Sequence, residues 1–375
     1  MAGPANPRPL AVAALVALAC LALPSPRALA DMGPVRSGAK VQKATDADWL
    51  RHPDKHKYYT ESWTMAARST DGHIVYLNFL YSNLGVFAGS TAVNVSYSRP
   101  GKSSIHHAFE HSTGEFAQDP KIGRIGIGAS WIALKGRDFV VKVKEDKLKM
   151  DLQGTLWADG VKIYKGRLNL DSDSQRYVDI FYHVPRASVT GTAEIDGQKY
   201  EFNGDAYLDH MAQNALGTDY ATHWWVARFF HNDYSVVFIT FKTRKELGGK
   251  RIARIMVTGK DGLLLFSDSM SLSTDKRKSD PKGHEYDTRY KFKAGGKGDA
   301  VRVSGTITGG RLHDRDALLD QMNVAQQQVV KIFAGNPVVY RLEAEAEVEL
   351  DFGAEKRTLS GPAFIESVVL TGDEP

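Results

Sequence analysis

A single cysteine, Cys20, serves all 375 residues. It lies in an opening segment where Arg8 precedes an apolar run from Leu10 to Leu23, Pro24 and Pro26 follow, and Ala28-Leu29-Ala30 supplies small residues. That order is the pattern of a secretory signal cleaved after Ala30. Cleavage there would leave no thiol, which excludes disulfides, thiolate metal sites and cysteine nucleophiles together. The expected location is therefore secreted or periplasmic. Ala17-Leu18-Ala19-Cys20 matches a lipoprotein cleavage box only loosely, so lipidation at Cys20 is the weaker expectation.

Long hydrophobic runs are equally scarce. The run ending at Leu23 has about fourteen residues, short of the roughly twenty that cross a bilayer. Charge of one sign is lacking too: 48 Lys and Arg face 44 Asp and Glu, for a formal net charge of +4. A near-neutral chain with dispersed charge lacks the footprint of a nucleic-acid partner. There is no phosphate loop, Gly-x-Ser-x-Gly elbow or paired-carboxylate signature. "GRIGIGA" has glycines but is followed by "SWIALKG", which continues as strand, so a dinucleotide fingerprint is rejected. No cofactor is expected.

What the sequence has is alternation. Residues 31–56 form a flexible lead-in, and from Tyr58 onward segments such as "YYTESWTMAA", "HIVYLNFLYSN", "STAVNVSYSR" and "DFVVKVKE" alternate apolar and polar residues between turn signals. Period-two patterning resumes in "TAEIDGQKYEFNGDAYLDH" and continues almost to the end. One exception is "DRDALLDQMNVAQQQVVKIFAGNP", where Leu318, Met322, Ala325, Val329 and Phe333 recur at helical spacing between an Asp314 cap and Gly335. The predicted fold is all-β: two antiparallel barrel or sandwich domains, with one amphipathic helix near the C-terminus. Their expected extents are 57–188 and 189–375, with the boundary near Pro185 to Gly191.

Candidate site residues concentrate in "DAYLDHMAQNALGTDYATHWWVARFF". Trp224 and Trp225 point to opposite faces of a strand, with His223 beside them. Asp209, His210 and Gln213 stand at the end of the preceding strand. An Asp beside a His would suit a general acid and base acting on an alkene; the alternative is a satisfied polar network at a barrel mouth. Glu61 and Trp63, with Tyr81 and Asn83, would add a polar spot to an apolar pocket, or face solvent. "SIHHAFEH" offers His107 and His111 at metal-binding helical spacing, but its surroundings describe a loop, and no metal is expected. Asn94 begins the glycosylation sequon "NVS".

"TESWTMAARSTDGHIVYLNFLYSNLG", "DIFYHVPRASVTGTAEIDGQKYEFNGDAYLDHMAQN", "THWWVARFF" and "GNPVVYRLEAEAEVELDFGAEKRTLSGPAFIES" together resemble the survival-factor family of fungal oxidative-stress proteins. That family is similar in fold to the carotenoid hydratase and kievitone hydratase group, built from two lipocalin-like barrels. The resemblance implies lipid binding, with ceramide-type transfer in the survival-factor branch and water addition to isolated alkenes in the hydratase branch. It places Glu61, Tyr81, Asn83, Arg186, His210, Gln213 and Trp224 at characteristic positions. The expected function is binding or transfer of a hydrophobic, lipid-like ligand with a stress-related role and transient membrane contact. The rival is a cofactor-independent hydratase or isomerase using Asp209 and His210.

Overall fold

The computed structural model describes residues 41–83, 89–163, 166–170, 175–317 and 337–370. Residues 1–40, which hold the expected signal segment and the start of the lead-in, and residues 318–336 of the predicted helix lie outside the described residues. Asp314, taken as the helix cap, instead belongs to the strand Arg302–Ala317, where it sits opposite Arg341.

The chain is all-β, as its alternation predicts, and its strands form two antiparallel sheets. The first runs, neighbour to neighbour, through Ile105–Ser112, Ser90–Ser98, Ile74–Ser82, Thr60–Ser69, Gln198–Gln213, Tyr177–Ile195, Leu148–Leu156, Asp138–Glu145, Ser130–Lys135, Arg124–Ile127 and Phe116–Asp119. Its two outermost strands are joined by the single turn Thr113–Glu115, so the sheet is nearly a closed barrel. The second runs through Gly262–Ser267, Arg251–Gly259, Tyr234–Thr243, Ala221–Phe230, Lys356–Val369, Val338–Asp351, Arg302–Ala317, Glu285–Ala294 and Met270–Ser279.

Each sheet encloses its own core. Trp63, Met65, Leu77, Phe79, Val141 and Leu208 fill the first, and Trp225, Phe238, Tyr290, Phe292, Tyr340 and Ile365 the second. The change of sheet falls between Gln213 and Ala221, not near Pro185 to Gly191. The strand Tyr177–Ile195 passes through that stretch unbroken, and Gly191 (φ 150°) is there because a Cβ would lie 2.0 Å from the Asp151 carbonyl oxygen. "DAYLDH" therefore lies on the strand Gln198–Gln213 of the first sheet, although the expected extents assign it to the second domain.

Two smaller expectations also change. "IHHAFEHS" is a strand, so His107 and His111 do not share a helical face; they bond separately to Asp196 and Glu115. Asn94, 6% exposed, is packed inside a strand between the sheets, out of reach of a glycosyl transfer.

Candidate functional site between the sheets

The strand pleat sorts neighbouring residues to opposite sides of the first sheet. On Thr60–Ser69, Glu61 and Trp63 point into the barrel, while Ser62 and Thr64 line a cavity between the sheets. On Gln198–Gln213, His210 points inward and Asp209 outward. The predicted acid and base pair is thereby split, and the two side chains cannot act on one substrate atom.

Inside the barrel mouth, the segment from Asp46 to Tyr58 forms a stopper. Trp49 is buried, its indole N–H donating to Gly123 O at 2.6 Å, and the Trp63 indole donates to Trp49 O at 2.9 Å. His210 Nδ1 lies 2.7 Å from Asp48 O, and its Nε2 lies 2.8 Å from Glu61 Oε1. A carbonyl only accepts, so Nδ1 donates to Asp48 O. Glu61 also accepts from the His52 amide at 2.7 Å and from the Tyr59 hydroxyl, and Trp63 stacks on His210 at 4.5 Å. Burial pushes the neighbouring His183 imidazole down to about 3, so it stays neutral. Tyr81 lies under the Arg51 guanidinium at 3.7 Å, and the Asn83 amide donates to Asp54 O at 3.0 Å. Glu61, Trp63, Tyr81, Asn83 and His210 thus come together, but around this stopper.

Arg186, Gln213, His223 and Trp225 do other work. Arg186 donates to Asp205, His231 O and Tyr234 O and stacks on Trp157 at 3.6 Å, tying the first sheet to the turn after Phe230. Gln213 accepts from the Tyr220 hydroxyl at 2.8 Å. His223, lowered to about 4 by burial, stacks on Trp225, whose indole donates to Asp287 at 2.9 Å in the second core.

The cavity between the sheets has a volume of about 150 Å³. The first sheet contributes a polar wall of Ser62, Thr64, Tyr76, Asn78, Asn94 and Ser96. The second contributes Trp224, Val226, Ile239, Val339 and Val368. Trp224 stacks on Phe241 at 4.9 Å.

A charged relay forms one end. Arg228 donates to Glu366 at 2.7 Å, Arg341 bridges Glu366 at 3.2 Å and Asp314 at 2.6 Å, and His106 Nε2 lies 2.7 Å from Asp314. Burial opposes ionisation of Glu366, yet the two arginines hold its carboxyl below the usual range; Arg341 and His106 do the same for Asp314. Asp209 differs: burial raises it to about 6, with Arg228 and Tyr207 only partly offsetting this. Tyr76 Oη, Asn94 Oδ1 and Arg228 Nε are buried without a hydrogen-bond partner among the described residues. No group of three or more metal-binding side chains occurs among those residues.

Sequence reasoning missed Arg228, Arg341, Glu366, Asp314, Tyr76 and Asn94. The available signal was parity: Arg228 stands four residues after Trp224 on the same strand face, and Ser62 and Thr64 alternate with core residues.

These features define a lipocalin-like all-β protein with a ligand-sized cavity between two sheets. The chain belongs to the Svf1 family, whose profile matches residues 35–371. No curated protein matches it in sequence. Solved structures similar in fold include CghA, at 9% identity and TM-score 0.63 over 93% of this chain and 98% of that one. A putative AttH (NE1406) from Nitrosomonas europaea aligns at 11% identity and TM-score 0.57, over 84% and 93%. Kievitone hydratase from Nectria haematococca aligns at 13% and 0.52, over 83% and 89%.

Proposed function

We propose that this protein binds or carries a hydrophobic, lipid-like small molecule in the cavity between its sheets, and does so outside the cytosol after cleavage following Ala30. The observation that carries this reading is the cavity's division of labour: an apolar wall around Trp224 faces three buried polar atoms that lack partners among the described residues. An unpartnered buried polar atom costs roughly 1–3 kcal/mol, which a ligand hydroxyl or amide would relieve. Apolar walls with a few convergent polar groups are the usual make-up of small-molecule sites. The protein purified without detergent should show a discrete adduct by native mass spectrometry, recoverable by organic extraction. Val226→Trp, which fills the cavity, should abolish the adduct; an unchanged adduct would sink the reading.

Asp209 favours a second reading, a hydratase or isomerase. A carboxyl that titrates near 6 can protonate one alkene carbon while water attacks the other, then recover its proton from that water. His210, sealed in the barrel mouth, takes no part. Turnover of an apolar alkene that survives Asp209→Asn would exclude this chemistry.

A further inference from the structure

We propose that the ligand cavity continues past Ile180 and Ile239 into a second chamber, and that these two side chains set the length of apolar chain accepted. The inference rests on the binding reading above. Ile180 and Ile239 line both hollows, one residue from each sheet. Beyond them a chamber of about 30 Å³ is walled by Leu168, Phe241 and Ile252 and reaches Arg167 and Arg254. Ile180 and Tyr182 fall on one face of their strand, as do Ile239 and Phe241 of theirs. Trp224 of the first chamber stacks on Phe241 of the second, so the apolar surface runs on across the pinch.

The cleft crosses strands in the order in which they pair. From Asn94 it passes Asn78, Ser62, Met211 and Ile180, each on the next strand of the first sheet, to Leu168 on the short strand Arg167–Asn169, which pairs with Tyr177–Ile195. At ~4.8 Å per strand those five steps span roughly 24 Å. A cleft of that length, polar at the Asn94 end and narrowed in the middle, suits a long unbranched amphiphile better than a compact ring system. Head-group contacts would sit at Asn94, Tyr76 and Arg228, and the chain end would lie between Leu168 and Ile252.

The test is displacement of Nile red from the full mature protein by straight-chain primary alcohols from octanol to octadecanol. Each methylene that enters an apolar chamber should tighten binding about fourfold. In the wild-type protein that gain should persist into chain lengths at which Ile180→Phe/Ile239→Phe has stopped gaining, so the octadecanol-to-octanol affinity ratio of the variant falls at least tenfold. Ile180→Ala, which adds no bulk to the core, guards against misfolding of the double variant and should admit chains branched near the far end that the wild type rejects. Equal ratios in wild type and double variant, with branched chains still rejected by Ile180→Ala, would overturn the second chamber and leave the binding reading standing. Failure of every alcohol to displace the dye would overturn both.

Discussion

The stopper at the barrel mouth and the cavity between the sheets are built from the same strands, and both are rich in polar groups. At the stopper Glu61 and His210 pair with each other, and their remaining polar atoms meet Asp48, His52 and Tyr59. Across the sheet, one residue away in sequence, the cavity leaves Tyr76, Asn94 and Arg228 atoms unmatched and keeps Asp209 close to its titration point. Buried polarity is thus structural on one face and poised on the other. Composition does not distinguish the Glu61–His210 pair from the cavity wall; completeness of hydrogen bonding at those atoms does.

The largest expected effect breaks the stopper alone. Glu61→Ala strands His210 and the His52 amide in a closed interior and should cost about 3–5 kcal/mol in urea unfolding. Lipid occupancy at low temperature should survive; its loss would show that the two faces are coupled.

A second test uses pH on the cavity side. The folded-state value of Asp209 lies above its unfolded value near 3.8, so the folded protein holds the extra proton between those limits. Stability therefore falls as pH rises from about 4 through 6, and the penalty persists above that. Asp209→Asn should raise stability above pH 6 by about 2 kcal/mol, moderated because the carboxyl faces the cavity, and flatten the slope between 4 and 6. His183 works in the opposite sense. Its value is lowered from 6.5 to about 3, so its contribution is whole above pH 6.5 and is lost as pH falls towards 3. The smallest effect sharpens the comparison: Asn83→Ala removes one hydrogen bond to the stopper and should cost about 1 kcal/mol with no change in ligand content.

Alternation made the strands legible, and it also correctly sent Trp224 and Trp225 to different environments. It said nothing of what covers each face. Ser62, Thr64 and Asn78 read equally well as a solvated surface, because burial between sheets depends on how the sheets pack and not on local period. Glu61 and His210 were chosen for their chemistry, but what decides their role is the segment Asp46–Tyr58, whose low apolar content had marked it as a loose lead-in. Asp209 and His210 were legible as neighbours and misjudged as partners, since adjacent residues in a strand face apart. The sheet change after Gln213 was hidden because no glycine or proline cluster marks it, whereas Pro185 and Gly191 punctuate a strand that goes on.

Strand order has a consequence for the birth of the molecule. In both sheets most strands pair with the one just made, so hairpins can form as the chain leaves the ribosome. Closure is different: the strand Thr60–Ser69 must wait for Gln198–Gln213, and the Glu61–His210 bond joins residues 149 apart. Until that late strand arrives, the earliest one presents an open edge and an unmatched carboxylate to its surroundings. Among the described residues the first sheet takes no strand from beyond Gln213, so it can finish while the second is still being synthesised. A translational pause late enough for Gln198–Gln213 to have left the ribosome would therefore protect the nascent chain, and an earlier one would expose that edge to aggregation.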